Sequence, residues 1–466
     1  MVNNPLVLKN RERRFGMLAK DRIIVALDVD SLDKAEALVR ELSPHVGYFK
    51  IGLELITLGL ADEVIKLVHS FGAKVFYDGK FPDIPTTVGR AARAVASKGV
   101  AMFNVHASAD TASMAAAAKN KGSSTALAVT VLTSMDNKRC RHNFGASVNR
   151  KVVQFAHDAL DAGMDGVICS SKELVLLGKY KELDGLIRVT PGVRPLWAPS
   201  NDQKRAMTPD EAIMSGATIL VVGRPITDPP KDIGTSVDAA KLILKEVEDA
   251  LVRRSDTIRE RENFALLRRY GAIVTGTHVV LTSGRHGSEY VNKDAIYPHT
   301  EAISELCREI AKRFADKGVE AVIAPAVGGL IMAQWTAHHL SHLTGREVLG
   351  LYADKEGKEF VIKRGYDKLV RGKKVLVVED ILTTGGSVKK VIEATREAGG
   401  NVVGLGALCN RGGVTSEDVG GVSELFALVN LQLETWEEAD CPLCARGVPI
   451  NTDVGKGREF LEAKKK

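Results

Sequence analysis

The run Tyr77-Asp78-Gly79-Lys80-Phe81-Pro82-Asp83-Ile84-Pro85 places a lysine between two aspartates. Two-residue spacing puts Asp78 and Lys80 on the same face of an extended strand end, and Pro82 and Pro85 keep a helix from starting among them. Asp83 lies beyond the bend and is expected to point away from its neighbours' pocket, a partner subunit included. A lysine held between carboxylates keeps its proton, which suits a proton donor or an electrostatic anchor for a developing carbanion. Asp28, Lys50, His106, Thr133, Ser170, Thr190 and Arg224 also close short apolar runs in this half of the chain. Any one of them reads as an ordinary loop residue. Together they are expected to form one charged network, because charges at the ends of apolar strands are costly to bury unpaired.

A second centre lies in the thirteen residues from Val375 to Ser387. An apolar strand ends in Glu379 and Asp380, and Thr383-Thr384-Gly385-Gly386-Ser387 then opens a helix. Backbone amides and hydroxyls at such a helix N-terminus can cradle a phosphate. Carboxylates beside a phosphate repel it unless they take sugar hydroxyls or magnesium. Cys441-Pro442-Leu443-Cys444 has metal-ligand spacing, but zinc takes four ligands and no second pair or His follows in the tail, so these thiols read as buried or idle. His338, His339 and His342, on a helix with Trp335, read as surface or packing residues.

The elements that must position these groups show as apolar runs at 23 to 28, 47 to 52, 74 to 78, 101 to 106, 125 to 132, 166 to 170, 186 to 190 and 218 to 223. Helical spacing fills the gaps, for example Asp33 to Leu42 and Thr86 to Lys98. Eight strand–helix units predict a (β/α)8 barrel, with chemistry at the C-terminal strand ends. After Pro229-Pro230 comes an amphipathic helix and a charge-dense helical linker, which sets domains of 1–254 and 255–466. The second half reads as an open, mostly parallel sheet with strands at 321–326, 348–352, 360–363, 374–378, 402–409 and 425–431, so the whole chain is α/β. The excess of 64 Lys and Arg over 58 Asp and Glu is +6. That balance suits phosphorylated small substrates and excludes a nucleic-acid coat. Six cysteines form no secreted framework, no apolar run reaches membrane length, and the N-terminus lacks a signal core, so the expected setting is cytoplasmic, with no membrane or nucleic-acid partner.

The Asp-x-Lys-x-x-Asp-Ile run, with Ala26-Leu27-Asp28, Phe49-Lys50-Ile51-Gly52, Thr190-Pro191-Gly192-Val193-Arg194 and Val222-Gly223-Arg224-Pro225-Ile226, resembles orotidine 5'-phosphate decarboxylase over residues 20 to 250. The resemblance implies cofactor-free loss of carbon dioxide from a pyrimidine nucleotide. It makes Lys80 the proton donor to the carbanion, sets Asp78 against the carboxylate side, and has Asp83 complete the neighbouring subunit's site. Lys50 and Asp28 would hold the ribose hydroxyls, and Ile84, Thr87 and Thr133 would contact substrate, Thr133 at the pyrimidine. Gln203, Gly223 and Arg224 with Arg194 would grip the phosphate, and Leu196 to Ala206 reads as a closing loop. A sugar-phosphate decarboxylase or aldolase-like barrel shares an Asp-x-Lys pair, but it needs a metal-ligating carboxylate near the third strand, and Lys80 stands between the candidates Asp78 and Asp83.

The 375–387 run, with Thr282-Ser283-Gly284-Arg285-His286-Gly287-Ser288-Glu289-Tyr290, Ala324-Pro325-Ala326-Val327-Gly328-Gly329 and Asn410-Arg411-Gly412-Gly413, resembles orotate phosphoribosyltransferase over residues 260 to 455. It implies that Glu379, Asp380, Thr383, Thr384, Gly385, Gly386 and Ser387 bind phosphoribosyl pyrophosphate and that Ala326, Val327 and Gly328 form the pyrophosphate turn. Arg411 would face the orotate carboxylate, and Arg285 would bind in the same site. Lys355, Lys363 and Arg364 would lie on or near a mobile loop over the diphosphate. Magnesium would enter with the substrate, Asp380 being the one candidate protein ligand. The chain departs from a common version of the family at Val327, where a Tyr-Lys pair is often seen, and in 354–364, which lacks the Arg-Lys-x-x-Lys-x-His spacing. Taken together, the two resemblances imply a bifunctional homodimer or higher oligomer that makes orotidine 5'-phosphate and decarboxylates it to uridine 5'-phosphate. The alternative is an active decarboxylase with an inactive or phosphoribosyl-pyrophosphate-sensing C-terminal domain. A transcriptional sensor would need a DNA-reading helix-turn-helix or a basic face, and the sequence supplies neither.

Overall fold

In a computed structural model, which describes residues 17–199, 207–281 and 283–464, the eight apolar runs of the first half close into a barrel. Its strands are β1 (Ile23–Leu27), β2 (Tyr48–Ile51), β3 (Lys74–Phe81), β4 (Met102–His106), β5 (Thr125–Val129), β6 (Gly166–Ile168), β7 (Ile187–Pro191) and β8 (Ile219–Val222). All neighbours pair in parallel, and β1 meets β8 with Ile24 opposite Val221. The helices between them start where the chain offers start signals. Ser31 Oγ accepts from Lys34 N ahead of Leu32–Leu42, and Pro85 occupies the first turn of Pro85–Ala96, where its missing N–H costs nothing.

Strand periodicity sorts the side chains. Ile24, Ala26, Phe76, Met102, Leu127, Val189 and Val221 meet inside the barrel. Ile23, Val25, Leu27, Phe49, Val75 and Phe103 point outward and pack with the helices. Truncating a fully buried ring such as Phe103 to alanine should cost about 3–5 kcal/mol. Two residues beyond the inward Ala26, Tyr48, Phe76 and Met102 come Asp28, Lys50, Asp78 and Asn104, so alternation alone carries these polar groups to one rim.

The chain divides into two compact units between Ser255 and Asp256, inside the helix Ser236–Arg269. The second unit holds β9 (Ile273–Val280), β10 (His286–Val291), β11 (Ala321–Pro325), β12 (Leu349–Glu356), β13 (Glu359–Val361), β14 (Lys374–Leu382), β15 (Asn401–Asn410), β16 (Leu425–Asn430) and β17 (Thr435–Trp436). A six-stranded sheet runs in the order β13-β12-β11-β14-β15-β16. It is parallel except at the edge, where β13 turns back on β12. Along β14, Leu376 and Val378 pack with Leu306, Ile310 and Phe314 of helix Thr300–Phe314, while Val375 and Val377 pack with Val388, Val391 and Ile392 of helix Gly386–Glu397. Apolar cover on both faces is what a parallel sheet requires.

A smaller antiparallel sheet, β17-β10-β9, has no counterpart in the sequence reading. Its strands carry Gly276, His278, His286 and Gly287 where an apolar run would be sought, and it is half-exposed, so its apolar alternation is weak. Among the described residues, no helix is long and apolar enough to cross a membrane.

Candidate functional site

At the C-terminal rim of the barrel the inward polar groups join into a chain of charges. Lys50 Nζ lies 3.0 Å from Asp28 Oδ1 and 3.5 Å from Asp78 Oδ2, and Lys80 Nζ lies 2.7 Å from Asp78 Oδ1. Asn104 Nδ2 donates to the same Asp78 oxygen at 2.6 Å. Burial by itself would raise the Asp78 carboxyl, but the Lys50 and Lys80 charges and the hydrogen bonds from Lys80 and Asn104 outweigh it and hold the group below the ordinary carboxylate value. Burial, with the Lys80 charge beside it, keeps the His106 imidazole below its usual value and therefore neutral near pH 7.

The local backbone differs from the extended strand expected at 78–80. Regular pairing of β3 with β4 lapses between Tyr77 and Phe81, and Lys80 sits at φ 49°, a region that costs an L-residue about 1–2 kcal/mol. Asn104 Oδ1 accepts from Lys80 N at 2.7 Å and replaces the lost ladder bond. Asp78 and Lys80 thus converge through a bulge pinned by Asn104, rather than through strand alternation. Close by, Arg194, Ala198, Pro199, Arg224, Pro225 and Lys231 line a concavity of about 280 Å³. It belongs to the same rim, since a Cβ on Gly223 would lie 3.9 Å from Asp28 Oδ2.

In the second unit, β14 delivers Glu379 and Asp380, both buried, into a cavity of about 320 Å³ walled by Lys293, Ala326 to Gly328, Lys355 and Thr383 to Ser387. Asp380 pairs with Lys293, and the single Tyr297 hydroxyl proton is shared between the Gly328 carbonyl at 2.6 Å and Asp380 Oδ2 at 3.2 Å. Burial and the Asp380 charge push the Glu379 carboxyl well above the ordinary range. Burial opposes the Lys293 charge, yet its hydrogen bond to Asp380 and the charges of Asp380 and Glu379 leave its pKa raised. Thr383, Thr384 and Ser387 are exposed to the cavity, and Gly385, at φ 74°, turns the chain into the helix Gly386–Glu397. At Gly328 a Cβ would stand 2.2 Å from Asp380 Oδ2 and 2.5 Å from Lys293 Nζ, so a larger residue there would push that ion pair aside. The arrangement can take a phosphate on the loop and a polyhydroxyl group on the acids.

Residues 21–237 match the Orotidine 5'-phosphate decarboxylase / HUMPS family, and residues 292–440 match the Phosphoribosyl transferase domain. Orotidine 5'-phosphate decarboxylase of Heliobacterium modesticaldum is 44% identical over 250 residues, which span 51% of this chain and 100% of that protein. The chain belongs to the orotidine 5'-phosphate decarboxylase family. The decarboxylase of Moorella thermoacetica, another relative, is 43% identical over 50% of this chain and 94% of its own length. Among solved structures, Leishmania donovani UMP synthase aligns with 91% of this chain and 92% of its own, at 18% identity and a TM-score of 0.41.

Within this decarboxylase-family barrel, Asp28, Lys50, Asp78 and Lys80 form one network, and Gly223, Arg224 and Arg194 share its rim. Asp83 is exposed, caps its own turn by accepting from Ile84 N at 2.7 Å, and makes no ion pair among the described residues. Ile84, Thr87 and Thr133 are likewise exposed and reach no partner in the network. Gln203 lies outside the described residues. In the second unit Glu379, Asp380, Thr383 to Ser387, Lys355 and the 326–328 turn share the cavity, and Arg411 Nε donates to Thr383 Oγ1 at 2.9 Å.

Three expected cavity residues are engaged elsewhere. Arg285 donates to Thr435 Oγ1 at 3.0 Å and pairs with Glu437, Lys363 pairs with Glu356, and Arg364 Nε lies 3.3 Å from Asp354 Oδ2. The segment expected as a loop over the diphosphate is instead the β12–β13 hairpin, with Lys355 opposite Phe360. Sequence reading passed over Asn104, Lys293 and Tyr297. Asn104 had a signal, a lone amide inside the apolar strand Met102–His106, whereas Lys293 meets Asp380 across 87 residues without one. Cys441 is buried and both it and Cys444 are free thiols, as expected, but they are not alone. His278 and His286 stand beside them, supplied by the β9–β10 sheet that the sequence did not reveal.

Proposed function

We propose that this chain makes uridine 5'-phosphate from orotate in two steps, transfer in the second unit and decarboxylation in the barrel. The observation that carries the reading is the Asp28–Lys50–Asp78–Lys80 network on the same rim as the Arg194 and Arg224 concavity. Arg194 and Arg224 suit the phosphate of orotidine 5'-phosphate, and Lys50 with Asp28 suits its ribose. Phosphate binding away from the reacting carbon supplies energy for setting the base against the charged network. Asp78, kept ionised by two lysines, then faces the substrate carboxylate and opposes its charge. The carbon–carbon bond breaks, carbon dioxide leaves, and the electron pair left on the ring carbon takes a proton from Lys80 Nζ. Every group in this step is a side chain of the barrel, so the step calls for no cofactor.

In the second unit the Thr383–Ser387 loop suits the 5'-phosphate of phosphoribosyl pyrophosphate, the acids Glu379 and Asp380 its ribose hydroxyls, and the 326–328 turn its diphosphate. Arg411, beside Thr383, suits the orotate carboxylate. The buried Asp380 beside a phosphate loop also suits magnesium, and Asp380 would be its protein ligand beside the diphosphate oxygens. When bound, the ion neutralises charge on the departing diphosphate. Lys293 and Tyr297 hold Asp380 in place while an orotate ring nitrogen displaces diphosphate at the sugar carbon. Asp83, exposed and outside its own network, suits a site shared with a second copy, so the active form is a homodimer or larger.

The test follows orotate loss and carbon dioxide release in parallel, with phosphoribosyl pyrophosphate and magnesium. Both should proceed. Orotate that persists while added orotidine 5'-phosphate is decarboxylated would remove the transferase half and leave a sensing or inactive domain.

A further inference from the structure

Among the described residues, one cluster of metal-ligating side chains shares no residue with the lining of either cavity. His278 Nε2, His286 Nδ1 and the sulfurs of Cys441 and Cys444 all lie within 4.8 Å of one another, and all but Cys444 are buried. His278 Nε2 is 2.9 Å from His286 Nδ1, 3.6 Å from Cys441 Sγ and 3.7 Å from Cys444 Sγ, and His286 Nδ1 is 3.3 Å from Cys444 Sγ. Tetrahedral zinc, with nitrogens at about 2.0–2.1 Å and sulfurs at about 2.3 Å, has edges of about 3.3 Å between nitrogens and about 3.6 Å from nitrogen to sulfur. Each of the four distances lies within about 0.4 Å of its edge. The remaining two pairs lie within 4.8 Å.

The surroundings suit coordination. His278 Nδ1 lies 2.7 Å from the Val448 carbonyl. A carbonyl only accepts, so the proton sits on Nδ1 and the Nε2 lone pair faces the cluster, the usual outer-shell arrangement for a metal-bound histidine. The other nitrogen of His286, Nε2, is buried without a hydrogen-bond partner, so it carries the ring proton at the cost of an unpaired N–H when Nδ1 faces the metal. Both cysteines are thiols rather than a disulfide.

The chain end also needs a fastening of this kind. Beyond β16 it forms a two-residue strand, a four-residue helix Pro442–Ala445 and the short helix Gly457–Ala463, which provide little core. It lies along β9 through a bridge between Ile450 and His278, with Asn451 N donating to His278 O and Lys456 N to Val280 O, both at 2.7 Å. A metal joining Cys441 to His278, 163 residues earlier, would close a long loop. None of the four ligands lies within residues 21–237 or 292–440, so the cluster is separate from both family matches.

We infer that His278, His286, Cys441 and Cys444 bind one zinc ion that fastens the C-terminal segment to the β9–β10 hairpin. Four protein ligands fill a tetrahedral shell, which makes the site structural rather than catalytic. The inference is independent of the proposed reactions.

Full-length protein purified without a histidine tag or chelator should carry about one zinc per chain by elemental mass spectrometry. After chelator treatment under reducing conditions, added Co2+ should give the strong visible bands and thiolate charge transfer of a tetrahedral two-sulfur, two-nitrogen site. Zn2+ should raise the thermal midpoint of the chelated protein where Mg2+ does not. Cys444→Ala should lose the zinc. Should that variant fail to fold, alkylation decides on the unaltered chain, because iodoacetamide should modify Cys441 and Cys444 only after chelation. Protein that holds no zinc and takes up no Co2+, that carries stoichiometric iron instead, or whose two cysteines alkylate equally with and without chelator, overturns the inference.

Discussion

Asp78 holds together groups that the mechanism uses separately. Two lysines and an amide converge on its carboxylate, and its pKa lies below the ordinary value despite burial. A folded value below the unfolded one means the group stabilises the protein above the usual carboxylate range, and this contribution is lost as the pH falls through the lowered value. Near neutral pH the Asp78 carboxylate is ionised. Lys80→Ala should therefore cut decarboxylation by on the order of 10²–10⁴-fold while orotate consumption continues. Decarboxylation at the parent rate in a stopped assay with added orotidine 5'-phosphate would exclude Lys80 as the proton donor. Asp380→Asn keeps the shape of the second cavity and removes the charge that Lys293 balances. It should abolish orotate consumption and leave decarboxylation of added orotidine 5'-phosphate unchanged, and a variant that consumes orotate normally would falsify the role given to Asp380.

At the scale of elements, placement depends on departures from regular structure. The β3 bulge that turns Lys80 toward Asp78 rests on Asn104 of the neighbouring strand, through Oδ1 to the Lys80 amide and Nδ2 to Asp78. Asn104→Ala should leave a buried carboxylate and amide short of partners, at about 1–3 kcal/mol of stability. It should also lower kcat for decarboxylation more than it raises KM; loss confined to KM would argue against a positioning role. A second element shows a cost of burial. Glu173 closes the capping box at Ser171–Glu173 by accepting from Ser170 N at 2.8 Å, and burial, only partly opposed by that hydrogen bond, pushes its carboxyl up to about 7. For an acid with a raised folded value the native state holds the extra proton, so stability falls as the pH rises from the ordinary glutamate value to about 7, by on the order of 3 kcal/mol. Glu173→Gln keeps the acceptor and removes the charge. Its melting temperature relative to the parent should climb between pH 5 and pH 8, and a pH-independent difference would show that the carboxyl is ionised throughout.

For the whole molecule, the proposed function has a second copy complete each barrel site. The Asp83 side chain is exposed and accepts from Ile84 N of its own turn, so the role proposed for it rests on a second chain. Mixing Lys80→Ala with Asp83→Ala protein should restore part of the decarboxylase activity, because one site in a mixed dimer then has both residues intact. Mixed dimers verified by mass that stay inactive would place Asp83 at work within its own chain. The two units differ in what a mutation reaches: the decarboxylase network lies in residues up to Ser255, the phosphate loop beyond it.

The barrel was legible because strand alternation and buried charge are local properties. Apolar runs with Asp28, Lys50 and Asp78 at their ends leave few places for those side chains except one rim, and Glu379-Asp380 directly before a Thr/Gly/Ser loop puts the acids and the loop on one cavity. Tertiary structure decided what depends on contact between distant segments. It paired Lys293 and Tyr297 with Asp380, gave Arg285 to Thr435 and Glu437, and supported the Lys80 bulge with Asn104. It also set His278 and His286 against Cys441 and Cys444. Ligand spacing along the chain could not show that set, because two of the four donors come from a hairpin whose polar, glycine-broken strands carry little apolar signal.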